Sequence, residues 1–408
     1  MSASPRAPAT GATVRFSSGS AWLATLQRAK IDLLFGGATA AQGSVHVRDA
    51  ISLQRVQAAW ILALLPAALW GIYNTGLQAN VALDPAQLST LQGWRHDLLR
   101  MFRIGYAPDA IGACFFHGAL YFAPIYAVTY AVGRAWELLF ATVRGRELDE
   151  GFWVTALVFP LILPATTPLW QVALAISWGM VIAKLVFGGT GMNVLNPSLV
   201  ARAFLFYAYP AQILGATVWV PVPADKAVDG YSGATRLMQI RESGGLEAAG
   251  WDGWWNAFIG LQPGSMGETS ALMCLIGAAI LLWTRLASWR TMAGVALGTI
   301  VVAQLLNGFG SPANPATAVP FWWHMVLGGW AFAAVFLATD PATSAFTNRG
   351  RWICGFLIGA LIVATRVFNP AYPDSTMLVI LFMNVFAPLT DHFVAQSNLR
   401  RRRKRHAN

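Results

Sequence analysis

Apolar residues fall along the chain in ten blocks separated by short polar connections, and most blocks approach 20 residues. At 1.5 Å per residue such a block spans about 30 Å of hydrocarbon, so each reads as a membrane helix. The blocks run over 56–73, 118–143, 152–163, 168–187, 197–218, 269–283, 292–306, 321–339, 352–368 and 376–393. The pattern predicts an all-α integral membrane protein of about ten transmembrane helices. The third block is short and carries Pro160 and Pro164, which predicts a broken or re-entrant helix, and Pro66 predicts a kink in the first.

Lys and Arg set the orientation. With the N-terminus in the cytoplasm, Arg144 and Arg146, Arg285 and Arg290, Arg349 and Arg351 and the C-terminal tail all fall inside. Loop 77–117, with Arg95, Arg100 and Arg103, is the one violation. The chain then divides into a cytoplasmic segment 1–55, a first membrane half 56–218, a periplasmic loop 219–268, a second half 269–396 and a basic cytoplasmic tail 397–408. Five spans per half would place the halves in opposite orientations. Asn196-Pro197 and Asn369-Pro370 each precede a fifth span, which points to two inverted five-helix repeats of the urea-transporter-like kind.

Composition agrees: 56% of residues are hydrophobic and 11% charged, where soluble domains carry roughly 25% charged residues. The net charge of +10 does not call for nucleic acid, because six basic residues form one run, Arg400–Arg405, directly after the last apolar block. Such a run reads as a membrane flank touching anionic headgroups. Residues 1–50 show no apolar region followed by a small-residue cleavage site, so no cleavable signal peptide is expected. Cys114, Cys274 and Cys354 are isolated, which argues against an iron–sulfur cluster or a metal site built on this chain's thiolates.

The outside loop contains Asp229-Gly-Tyr-Ser-Gly-Ala-Thr235. Asp-Gly and Ser-Gly are turn dipeptides, Gly233 and Ala234 clear space around the Thr235 hydroxyl, and Asp229 and Ser232 can orient the turn. The segment resembles the flavinylation motif of membrane subunits that carry FMN through a threonine phosphoester made by a separate flavin transferase. The resemblance extends through Ser44–Asp49, Gly71–Thr75, Phe187–Pro197, Phe204–Gln212, Ala338–Pro341 and Asn369–Pro373. These segments resemble the B subunit of the sodium-translocating NADH:quinone oxidoreductase, and the paralogous D subunit of the Rnf complex shares the flavin motif.

The resemblance implies covalent FMN on Thr235 and electrons arriving from a second FMN-bearing subunit. They would pass through a non-covalent riboflavin to ubiquinone, with Na⁺ export across a bacterial inner membrane. It places Asn193 and Asn196 near the riboflavin, though the same asparagines could instead cap the fifth helix. The quinone region maps to Gly133, Arg134, Glu150, Phe152 and Trp153, with Arg134 departing from a second glycine of the family. Arg134 and Glu137 also stand three residues apart on one helix and can pair. Glu137 and Asp391 match acidic positions tied to the family's sodium uptake, with Asp340 as a further candidate. The stretch Phe187–Asn193 lacks the spacing of a phosphate loop, and no dinucleotide fingerprint is present, so NADH is expected to bind elsewhere in the complex. Two rivals are an Rnf-type D subunit and a cofactor-free urea-transporter-like channel.

Overall fold

The computed structural model of the chain describes residues 53–145, 148, 151–215, 217–228, 233–243, 246–310, 314–369 and 374–406. Ser44–Asp49, Asp229–Ser232, Arg146, Glu150 and Pro370–Pro373 lie outside them. The described residues are helical, and their single β contact is the isolated bridge Leu83–Ala227. Five helices are long and apolar enough to cross a membrane: α1 (Leu53–Ala82), α3 (Ile111–Arg144), α10 (Trp289–Phe309), α13 (Asn348–Phe368) and α14 (Thr376–His406). A short surface helix, α2 (Trp94–Met101), precedes α3.

The other apolar blocks form shorter helices: α4 (Phe152–Leu161), α5 (Leu169–Trp178), α6 (Pro197–Ala208) and α9 (Ala271–Trp283). Two more, α7 (Arg236–Ser243) and α8 (Leu246–Ile259), lie in the long connection. The eighth block splits into α11 (Phe321–Val326) and α12 (Trp330–Phe332). Among the described residues five helices reach full length, the short third block ends around Pro160 and Pro164, and the eighth is divided at Gly328-Gly329. Pro66 lies inside α1, which continues through it.

A broken helix in an apolar setting must satisfy its freed backbone groups from within the protein. Below α4, Gly267 N donates to Leu161 O at 2.7 Å and Met266 N to Leu163 O at 3.2 Å. Between α11 and α12 the task falls to side chains. Arg366 donates to His324 O and Leu327 O, both at 2.7 Å, and Asp374 accepts from Gly329 N at 3.3 Å. Segment 262–269, read from sequence as outside loop, is therefore largely internal: Gln262, Ser265, Met266, Glu268 and Thr269 are all buried.

The order of elements recurs. Short α4, a break, then α5 passing into a π turn (Gly179–Leu185) precede α6. Short α11, a break, then α12 passing into a π turn (Ala333–Leu337) precede α13. The Asn-Pro match is not part of this recurrence. Asn196 caps α6 by accepting from Ser198 N, whereas Asn369 ends α13. Asn314 repeats the local Asn-Pro cap, accepting from Ala316 N ahead of Pro315, but it precedes α11 rather than α13.

Small residues let the long helices touch backbone to backbone. Gly294 and Gly298 of α10 face Gly355 and Gly359 of α13, and a Cβ on Gly298 would stand 2.1 Å from Phe356 O. Gly76 and Gly118 do the same for α1 and α3. Gly298→Leu should force α10 off α13 at a cost of about 1–3 kcal/mol, read as a lower thermal midpoint in detergent. Gly308, on the same helix with open space around it, is the control, and Gly308→Ala should leave the midpoint unchanged.

Candidate functional site

Two cavities lie along α6. The first, about 1000 Å³ with its mouth included, is lined by Thr235. Thr235 caps α7: its carbonyl accepts from Met238 N at 2.9 Å and Gln239 N at 3.0 Å, and its hydroxyl accepts from Met238 N at 3.4 Å. Ala234 is buried and Gly233 half-buried, so the small residues before Thr235 pack inward. Leu199, Arg202, Ala203 and Phe206 of α6 form one wall and the internal segment Gln262–Thr269 another.

Trp219 Nε1, Gln262 Oε1 and Thr269 Oγ1 all belong to residues lining this cavity, and none has a hydrogen-bond partner among the described residues. Buried polar atoms are normally paired. One donor, one acceptor and one hydroxyl left open around one cavity fit a polar ligand.

The second cavity, about 1050 Å³ with its mouth included, begins where α6 begins. Asn193, Asn196, Thr155, Lys184 and Asp340 line it, together with Gln57 and Trp60 from the first turns of α1. Asn193 braces its own turn, accepting from Gly191 N at 3.2 Å and donating to Leu195 O at 3.1 Å. Asn196 caps α6 and donates to Asp340 Oδ2 at 2.9 Å. The capping role and a place in the cavity wall are thus both realised. Gln57 Oε1 and Trp60 Nε1 are buried and unpaired among the described residues, one acceptor and one donor. Sequence reasoning missed both, and the only signal was a polar Gln57 one turn before Trp60 inside an apolar block.

Gly133, Arg134, Phe152 and Trp153 come together, and Glu150 lies outside the described residues. A Cβ on Gly133 would stand 2.3 Å from Phe152 Cζ, so only glycine admits that ring. The Arg134 guanidinium lies 5.4 Å from the Phe152 ring and 5.3 Å from Trp153. Phe152 is fully buried, which leaves Trp153 and Tyr130, 5.2 Å apart, as the reachable aromatic surface.

The three acidic candidates stand apart. Glu137 lies between two cations, Arg134 at 2.8 Å and Lys184 at 3.0 Å. Asp340 accepts from Asn196, Ala342 N and Thr343. Asp391 holds the turn before α13 by accepting from Phe346 N at 2.6 Å and Thr347 N at 3.0 Å. Of the three, Asp340 alone lines either cavity.

Among known proteins, the model of the NQR2, RnfD, RnfE family matches residues 40–400. The B subunit of the Na(+)-translocating NADH-quinone reductase of Chromohalobacter salexigens is 51% identical over 366 residues, 90% of this chain and 87% of its own. Its counterparts in Azotobacter vinelandii and Stutzerimonas stutzeri are 50% and 49% identical over 385 residues, 93% of this chain and 93% of each relative.

Sequence reasoning also missed the ion pair on the floor of the first cavity. Arg202 NH1 meets Glu268 Oε1 at 2.6 Å with both side chains buried. Burial pushes the Glu268 carboxyl upward, Arg202 opposes the rise, Asp374 adds to it, and the Ser265 hydroxyl opposes it in turn. Removing one partner of a buried pair typically costs about 3–5 kcal/mol, while replacing both with apolar residues is often neutral. Glu268→Ala should therefore lower the thermal midpoint sharply, and Arg202→Met with Glu268→Leu should recover most of it.

Proposed function

Since the chain belongs to the NQR2, RnfD, RnfE family, we propose that it is the B subunit of a Na⁺-pumping NADH:ubiquinone oxidoreductase. It tethers FMN covalently through Thr235 in the first cavity and holds riboflavin in the second. The observation that carries this reading is that Thr235 caps a helix at a cavity with three open polar atoms, while a second cavity with two more begins at the other end of α6. The names of relatives near 50% identity favour the B subunit over the Rnf-type D subunit.

The flavins supply one-electron transfer, and the protein supplies position, insulation and charge. A phosphoester on Thr235 places its anion at the N-terminus of α7, where free N–H groups and the helix dipole favour negative charge. Asn196 and Phe206 lie about 15 Å apart along α6 at 1.5 Å per residue. Between them Leu199, Ala201 and Leu205 are buried, which keeps water out of the partition. Gln57, Trp60 and the asparagine turn offer both donor and acceptor groups to a neutral ring. Ubiquinone meets the Trp153–Tyr130 surface beside Arg134, and Asp340, in the wall of the second cavity, is the candidate for Na⁺.

The subunit sits in a bacterial inner membrane with both termini cytoplasmic and Thr235 on the outer face. NADH and the second FMN belong to other subunits, and a flavin transferase matures Thr235. The recurrent order of short helix, break and π turn supports two inverted halves.

Wild-type protein produced with a flavin transferase should give a fluorescent band that survives denaturing electrophoresis, and Thr235→Leu should abolish it. Absence of the band in wild type would remove the tether and leave the channel reading in its place.

A further inference from the structure

Lys184 is a buried charged side chain in the wall of the second cavity. It sits in the π turn Gly179–Leu185, a device that re-aims side chains and often marks functional sites. It is 2% exposed, lines the second cavity, and its ammonium meets Glu137 Oε1 at 3.0 Å. The other oxygen of Glu137 meets Arg134 at 2.8 Å, and Arg134 lies against Trp153. One carboxylate therefore joins a cation in the wall of the second cavity to a cation on the aromatic surface. Apolar replacements of buried ion pairs are often neutral or stabilising, so stability alone does not account for the arrangement.

We propose that Lys184 is the positioning residue that offsets the negative charge arriving in the second cavity, with Glu137 setting how much of that positive charge the cavity feels. The inference rests on the reading that this cavity holds a non-covalent flavin. A one-electron acceptor held in the second cavity would take its electron from the donor held at Thr235. No bond forms or breaks, the donor is oxidised by one electron, and the acceptor becomes more negative by one charge. A cation in a low-dielectric wall stabilises that charge far more than one in water. Lys184 would thus face charge in the second cavity, and Arg134 would face charge at the Trp153 surface.

The test uses the purified complex carrying Lys184→Met, Lys184→Arg or Glu137→Gln. Flavin released by acid extraction is counted, and the midpoint potential of the non-covalent flavin is followed by spectroelectrochemical titration. Lys184→Met should lower that potential by at least a tenfold change in the reduced-to-oxidised ratio, 59 mV for a one-electron couple. Glu137→Gln should raise it, Lys184→Arg should stay near wild type, and the flavin on Thr235 should not move.

Shifts of the same sign in Lys184→Met and Glu137→Gln, or no shift with flavin retained, would overturn the proposal. General loosening of the site cannot produce opposite signs. If Lys184→Met no longer holds flavin, the direction in Glu137→Gln decides. A wild-type complex with no extractable flavin overturns the underlying reading instead, and is distinguished from the other outcomes by that count.

Discussion

Hydrocarbon offers no partner to a backbone N–H or carbonyl, so a helix broken inside the membrane must have its ends answered by the protein itself. Everything distinctive in this fold follows from how those ends are answered. The break after α4 is met by the backbone of Met266 and Gly267, which draws a loop from the surface into the bundle. The break between α11 and α12 is met by Arg366 on the carbonyl side and Asp374 on the amide side. Arg366 and Asp374 also stand 3.6 Å apart, so each steadies the other. The break between α11 and α12 reaches the first cavity, where Gly328 lines the wall.

α6 gains its importance from this arrangement. Its first turn, capped by Asn196, closes one cavity, and its later turns, with Arg202 and Phe206, wall the other. The same twelve residues thus position one site, position the second and insulate them from each other. The ionic groups follow the same division. Arg202 with Glu268 floors the cavity of Thr235, and Lys184 with Glu137 borders the cavity of Asn193. Charges this deeply buried are retained only in pairs, and each pair ties together elements distant in sequence.

What the sequence disclosed depended on range. Apolar blocks are local, and their positions matched helices throughout. Arg134 and Glu137 are three residues apart on one helix, so their pairing could be read directly, while Lys184 is 47 residues from Glu137 and could not. Arg202 and Glu268, separated by 66 residues, were invisible for the same reason. Thr235 stood out through its small neighbours and the turn before it, yet the depth of the following segment 262–269 did not, because its polarity imitates a surface loop. Asn196 starts a helix and Asn369 ends one, so the shared dipeptide hid two different local roles. Block length alone did not show where helices break, since Gly328-Gly329 and the prolines act on backbone geometry without lowering hydropathy.

That α6 separates two flavin cavities is tested most directly by electron cryomicroscopy of the purified, flavinylated complex. The density should show one isoalloxazine ring continuous with Thr235 on the Arg202–Phe206 side of α6, and a second, unattached ring against Asn193, Asn196 and Trp60 on the other. Rings sharing one side of α6, or a Thr235 side chain with no density beyond its hydroxyl, would contradict it.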